Sequence, residues 1–393
     1  MGSREILIIK LSAIGDVVHT LPSLTALHQH FPEANISWLV EEEAGALLTH
    51  HPYLKRVIVL KRKRWLKNLK HVSLWYATAQ DVVSFIKELR STNYDLIIDF
   101  QGLLKSGVLV LLSRGRRKAG YDKTRELSYC FLNERMPPDS MDNHAVERNS
   151  NLVKALGASL PGAPGDGASS SQTPHCVWQN ENTTVMKQPL HYGHHGHDGC
   201  TIVITEEEKK NVTCFLRDQQ LSLDKRLVIV HTQARWDTKR WAPRKIAELS
   251  DRLIEGYGAH IIFTGGKDDT PASEEIVTLM RHTAVNASGK TTLKELAYLL
   301  KHAKLMITTD SGPMHIAAAM GTPVVALFGP TAPWRTGPYT DNALIVSTHL
   351  PCSPCFKRKC DRGKTCMQEI SVAAVLAAVD KQMGPNHTRA HAL

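Results

Sequence analysis

Three stretches of this chain place reactive side chains at the ends of short apolar runs. Ser12-Ala13-Ile14-Gly15-Asp16 follows the run 6–11 directly, which puts the Asp16 carboxylate where a helix begins. A carboxylate there is either a general base, able to take a proton from a hydroxyl, or a helix cap, and spacing alone leaves both open. The segment His231-Thr232-Gln233-Ala234-Arg235-Trp236-Asp237-Thr238-Lys239-Arg240-Trp241 follows the run 227–230. Its cations, hydroxyls and amide lie just past a strand's C-terminal end, where open α/β sheets bind ligands. Lys239 is a mobile point charge suited to phosphate, whereas Trp241 reads as an anchor of the next helix in the core. The other reading of this charge run is a solvated loop.

The third stretch, Thr308-Thr309-Asp310-Ser311-Gly312-Pro313-Met314-His315, joins an apolar run to a helix. Backbone amides opening that helix, with its partial positive charge, suit a pyrophosphate, and His315 adds a hydrogen-bonding side chain. The alternative is an ordinary strand-to-helix turn capped by Asp310 or Ser311.

Two further clusters are less committed. Arg62-Lys63-Arg64-Trp65-Leu66-Lys67 suits anionic groups on a substrate or at a membrane surface. Cys352, Cys355, Cys360 and Cys366 lie among Lys357, Arg358, Lys359, Arg362 and Lys364. They read either as ligands of a structural zinc or iron–sulfur centre, or as reduced or partly disulfide-bonded structural cysteines. No regular CxxC…CxxC spacing selects the metal.

The elements that must hold these residues alternate. Runs 6–11, 36–40, 57–60 and 96–100 read as strands, with a helix over 17–30 kinked at Pro22. Alternation resumes with strands 227–230, 260–263, 305–308 and 324–328 and helices 243–256, 293–302 and 314–320. Parallel strands joined by helices imply two Rossmann-like units. We read residues 1–157 as one, 200–350 as the second, and 351–393 as the cysteine cluster with a last helix whose apolar stripe needs a partner. Between them, 158–199 is rich in Gly, Pro, Ser and His and reads as a flexible linker or insertion. Its His191, His194, His195 and His197 are more simply solvated than metal-binding.

Composition bounds the function. The 393 residues are 42% hydrophobic, enough for two domains, and 48 Lys and Arg against 38 Asp and Glu leave a net charge of +10. That excess points to anionic partners, yet no nucleic-acid motif accompanies it. Neither GxGxxG after a first strand nor GxxxxGK[ST] occurs, which disfavours dinucleotide oxidoreductases and P-loop nucleotidases. No apolar run is long enough to span a membrane and no signal peptide is evident, so a cytoplasmic protein with reduced thiols is expected.

With these residues assembled, the chain resembles the ADP-heptose:lipopolysaccharide heptosyltransferases of glycosyltransferase family 9, most of all the heptosyltransferase I branch. The resemblance runs over 4–157 and 202–346. It rests on IIKLSAIGDVVHTLPSL, WLVEEEAG, the KRKRW run, YDLIIDFQGLLKSG, AGYDKTRELSYCFLNE, NHAVERN, HTQARWDTKRW, FTGG and TTDSGPMHIAAAMGTPVVALFGPTAP. It implies a GT-B architecture: two Rossmann-like parallel-sheet domains facing a cleft, with the C-terminal helix crossing back to the first. It also implies an inverting transfer of heptose from ADP-heptose to the Kdo region of the lipopolysaccharide inner core, with no metal or other cofactor required. Asp16 and Lys239 are then catalytic. Thr232, Arg235, Lys239, Asp268 or Asp269, and Asp310, Ser311, Gly312, Pro313, Met314 and His315 hold the donor. Arg62, Lys63, Arg64 and Arg125 hold a Kdo-lipid A acceptor, on an enzyme peripheral to the cytoplasmic face of the inner membrane. The alternatives are a family 9 transferase for a second heptose or another nucleotide sugar, and a noncatalytic metal or redox module on a degenerate transferase fold.

Overall fold

The computed structural model describes residues 3–157, 175–179, 183–187, 201–231, 233–363 and 365–384. They divide into two units, one holding the described residues up to 157 with 201–203, the other holding 175–187 and those from 204 on. Thr232 and the four histidines of 191–197 lie outside the described residues.

In the first unit six strands form one sheet: β1 Glu5–Ile9, β2 Asn35–Glu41, β3 Arg56–Leu60, β4 Tyr94–Asp99, β5 Gly115–Tyr121 and β6 Glu134–Met136. Their order is β3-β2-β1-β4-β5-β6, and every pairing is parallel. The apolar runs form strands because both faces are covered: Ile6 to Ile9 and Ile97 are fully buried. This order reverses direction between β1 and β4, so the loops after those two strands diverge and leave a crevice at their C-terminal ends. The expected kinked helix over 17–30 is instead two helices, Ile14–Val18 and Leu21–His30. Pro22 sits in the first turn of the second, where its missing N–H costs nothing, so it starts a helix rather than bending one.

The second unit repeats the plan. Strands β7 His175–Gln179, β8 Thr183–Lys187, β9 Leu227–His231, β10 His260–Phe263, β11 Val285–Asn286, β12 Leu305–Thr309, β13 Val324–Phe328 and β14 Ala343–Thr348 make a sheet ordered β11-β10-β9-β12-β13-β14-β8-β7. The six from β9 to β14 are parallel with their reversal between β9 and β12, and β8 and β7 extend the edge antiparallel.

Two expectations are corrected here. The segment 158–199 is not only a linker or insertion, because it supplies the strands β7 and β8. Thr183, Thr184 and Val185 are β-branched, and the Val185 side chain is fully buried in the second unit's core, which outweighs the polar composition around it. The last helix, Val372–Met383, does not give its stripe to the first domain. Val372, Val375, Leu376 and Val379 pack into the core with Val228, Ile246 and Val346 of the second unit itself.

Candidate active site

At the first unit's reversal point the chain leaves β1 through Lys10 and Leu11. Gln101, just past β4, accepts from the Leu11 and Ser12 N–H groups at 3.0 and 3.1 Å, tying the two diverging loops together. Asp16, in the first turn of Ile14–Val18, is half-buried, and its carboxylate accepts from the Ala13 N–H at 2.8 Å. The capping role left open by the sequence is therefore real, and it occupies one carboxylate oxygen. Lys10 is buried and donates to the Phe100 carbonyl at 2.9 Å. Burial pulls its pKa down, while the charges of Asp16 and Asp99 pull it up, so the ammonium and the two carboxylates form one coupled patch. Asp99 is itself buried, which pushes its carboxyl up against hydrogen bonds from Gly102, Ser106 and Gln101.

Lys105, early in the helix Leu104–Leu112, reaches back across this loop pair. Its ammonium donates to Ser12 Oγ at 3.1 Å and to Glu41 Oε1 at 3.0 Å. Glu41 ends β2 and is buried; burial alone would raise its carboxyl, but the bonds from Lys105 and from Arg62 Nε at 3.1 Å hold it below its ordinary value. Lys105, Gln101 and Glu41 were not singled out from the sequence. The strand order explains why: only the adjacency of β1 and β4 brings a residue some 90 positions away onto Ser12.

The cations expected at the acceptor divide. Arg62 is paired with Glu41, and Lys63 with Glu43, both acids of the WLVEEEAG stretch. Arg64 and Arg125 are exposed.

At the second unit's reversal point the loops after β9 and β12 meet. Lys239 donates to Asp310 Oδ2 at 2.6 Å, its ammonium 4.5 Å from the Trp236 ring centre, and both charged side chains are largely buried. A pair so sheltered from water is stronger than a surface pair, and either partner alone would be costly. Because Asp310 is spent on Lys239 and Ser311 at the N-cap makes no side-chain cap bond, the helix Gly312–Ala319 opens without a side-chain cap. Met314 is fully buried and His315 nearly so, leaving Ser311, Gly312 and Pro313 half-buried at the mouth. The side chain of Met314 is thus a core residue, and only its backbone can face a ligand. Two buried hydroxyls beside this loop, Thr309 and Thr331, find no hydrogen-bond partner among the described residues. Both lie in stretches quoted from the sequence, which gave no signal that either hydroxyl would be left unpaired.

Arg235 is exposed at the loop's tip. His231 is buried with Nδ1 3.3 Å from Thr264 Oγ1, and burial pulls its pKa down. Trp241 is in the core and donates to the Ile370 carbonyl at 3.1 Å, the anchoring role expected of it. The two candidate ribose acids separate: Asp269 turns inward to accept the Gly266 N–H at 2.8 Å, whereas Asp268 is exposed.

The cysteine loop lies against these same segments. Cys355 and Phe356 donate their N–H groups to the Pro330 carbonyl at 3.1 and 2.8 Å, and Thr238 Oγ1 donates to the Lys357 carbonyl at 2.9 Å. Cys366 is buried against Gly329, and burial pushes its thiol up. Among the described residues no group of three or more His, Cys, Asp or Glu is placed to hold a metal ion. Through its bonds with Pro330 and Thr238 the segment 355–357 braces the loops that carry those two residues.

Two sheets of Rossmann order, one with an acid at its reversal point and the other with a sheltered cation beside an open helix start, make the GT-B class of fold. The profile of glycosyltransferase family 9 (heptosyltransferase) matches residues 82–366, and the chain belongs to that family. It is 30% identical to lipopolysaccharide heptosyltransferase 1 of Pseudomonas aeruginosa, over 91% of this chain and 87% of that one. It is 28% identical to lipopolysaccharide heptosyltransferase 1 of Escherichia coli K12, over 87% and 92%. Among solved structures, the E. coli heptosyltransferase WaaC with ADP superposes with a TM-score of 0.70 at 24% identity, covering 96% of this chain and 99% of that one. E. coli heptosyltransferase II gives 0.69 at 22% identity, covering 96% and 98%.

Proposed function

We propose that this glycosyltransferase moves heptose from ADP-heptose to the Kdo region of the lipopolysaccharide inner core, with inversion at the anomeric carbon. The observation that carries the reading is the Lys239–Asp310 pair beside the uncapped start of Gly312–Ala319, a ready site for a diphosphate. Asp16 takes the proton of an acceptor hydroxyl, whose oxygen bonds to the anomeric carbon as the bond to the ADP oxygen breaks on the opposite face. Negative charge then builds on the departing diphosphate, where Lys239 and the backbone N–H groups of Gly312, Met314 and His315 offset it. Asp268 takes the ribose hydroxyls, and Thr309 and Thr331 offer hydroxyls without partners to the same ligand.

Arg64 and Arg125 meet the acceptor's carboxylates first, and Arg62 and Lys63 join them by exchanging Glu41 and Glu43 for the substrate. Among the described residues no helix is long and apolar enough to cross a membrane, and we place the enzyme peripherally on the cytoplasmic face of the inner membrane, where such an acceptor is presented.

The test incubates the purified chain with ADP-heptose and Kdo-lipid A and follows ADP release and acceptor mass. ADP-glucose and an already heptosylated acceptor serve as controls. A gain of one heptose on the unheptosylated acceptor is expected. Turnover confined to a different donor or to the heptosylated acceptor would move the substrate, and no turnover with any pair would sink the reading.

A further inference from the structure

After β3 the first unit exposes an apolar surface that the proposed chemistry does not use. The helix Arg62–Asn68 buries none of its residues. Trp65 donates to Asp81 Oδ2 at 2.8 Å and lies edge-on to Phe85. Beyond it, every residue from 69 to 77 is exposed. Leu69 is 55% exposed, Val72 73%, Trp75 52% and Tyr76 76%, with Leu66 at 52% just before them. Trp75 Nε1 donates to the Leu69 carbonyl at 3.0 Å, which folds the two ends of this run onto one patch rather than scattering them. Isolated surface apolar residues need no explanation, but a contiguous set with two aromatic rings does.

The charge around the patch indicates what covers it. Residues 61–80 hold six Lys and Arg and no Asp or Glu. Lys67 and Lys70 are exposed within the apolar run itself. A second copy of this chain would set the same cations against one another and be repelled, whereas an anionic bilayer surface accepts both the rings and the ammonium groups.

We propose that residues 66–76 form an interfacial anchor that seats this unit on anionic phospholipid. Leu69, Val72, Trp75 and Tyr76 enter the headgroup boundary, and Lys67 and Lys70 meet lipid phosphates. The inference deepens the reading of a lipid-linked acceptor and rests on it for its purpose, but bilayer binding is measured without any sugar transfer.

The experiment sediments the full chain with phosphatidylcholine vesicles and with vesicles containing phosphatidylglycerol, and follows quenching of Trp75 by brominated lipid. Binding is expected to need the anionic lipid, to weaken with added salt, and to show quenching that Trp75→Phe reduces. The triple variant Leu69→Gln/Val72→Gln/Tyr76→Gln should lower partitioning at least tenfold. Lys67→Gln/Lys70→Gln should lower it about 25-fold, at about fivefold per cation. Both variants should process a delipidated, water-soluble Kdo acceptor at the wild-type rate, which shows that they fold. Wild-type binding by both variants, or no binding by the wild type, would overturn the anchor. A wild-type dimer that the triple variant converts to monomer would overturn it in favour of self-association. Vesicle binding that depends on the patch, together with no transfer to any acceptor, would leave the anchor standing and defeat the transferase substrate instead.

Discussion

Asp16 accepts the Ala13 N–H at 2.8 Å, so the carboxylate proposed as the acceptor base also closes a helix turn. The two roles can be pulled apart. Asp16→Asn keeps an acceptor for the Ala13 N–H but cannot take a proton, and kcat should fall about 10²–10⁴-fold with the thermal midpoint and the Kd for ADP unchanged. Asp16→Ala should lose the same activity and a further ~1 kcal/mol of stability with the cap. A near-normal rate in either variant would remove Asp16 from the mechanism. On the other unit, Lys239→Ala leaves Asp310 sheltered without its cation, and we expect at least a 100-fold fall in kcat/KM for the donor together with weaker ADP binding by calorimetry. ADP affinity equal to wild type would exclude Lys239 from the diphosphate site. At this scale the sequence showed which residue types sit after which strands, and Asp16, Lys239 and Asp310 were legible for that reason. Their partners were not. That Arg62 and Lys63 lie on Glu41 and Glu43, and that Lys105 bridges Ser12 and Glu41, depends on pairings between strands that no local spacing encodes.

Elements were read well where burial is two-sided and poorly where it is not. β1, β9, β12 and β13 are continuous apolar runs because helices cover both faces, and such runs stand out in any sequence. β7 and β8 extend the antiparallel edge beyond β14, inside a segment whose composition resembles a linker, and neither periodicity nor hydrophobicity marks them. The last helix showed its stripe but not its partner, because an apolar face states only that it must be covered. Turn geometry makes a sharper test. Gly289 has φ +73° and donates to the Gly265 carbonyl at 2.9 Å, and a Cβ there would stand 2.9 Å from the Lys267 Cα. Both the left-handed backbone and the contact with another backbone atom exclude a side chain. Gly289→Ala should cost ~2 kcal/mol, displace the 267–269 turn that carries Asp268, and raise the Kd for ADP, as read by thermal denaturation and calorimetry. Unchanged stability would mean that the turn yields freely.

For the molecule as a whole, the response to acid is carried in part by buried titratable side chains of the first unit. His51 is 3% exposed, accepts from the Tyr53 N–H at 3.2 Å, and shares its pocket with His28, which stacks on Tyr53. Burial, with the charge of His28 added, lowers its pKa from 6.5 to about 4. Between those values the unfolded chain binds a proton that the folded first unit refuses, so stability is lost as pH falls from 6.5 toward 4 and is fully present above 6.5. The loss at pH 5 relative to pH 8 is about 2 kcal/mol from this residue. Asp99 acts in the opposite sense: burial raises its carboxyl, so the folded state takes up that proton at a higher pH than the unfolded chain and gains stability in acid. Because the two effects overlap, total acid sensitivity identifies neither, and the difference between two proteins is the useful observable. His51→Asn retains an acceptor for the Tyr53 N–H while removing the titration, and Asp99 is common to both chains. Urea titrations at pH 8 and pH 5 should show the wild type losing about 2 kcal/mol more than His51→Asn in the transition of the first unit. Equal losses would show that His51 is protonated in the folded protein and that its pocket admits water.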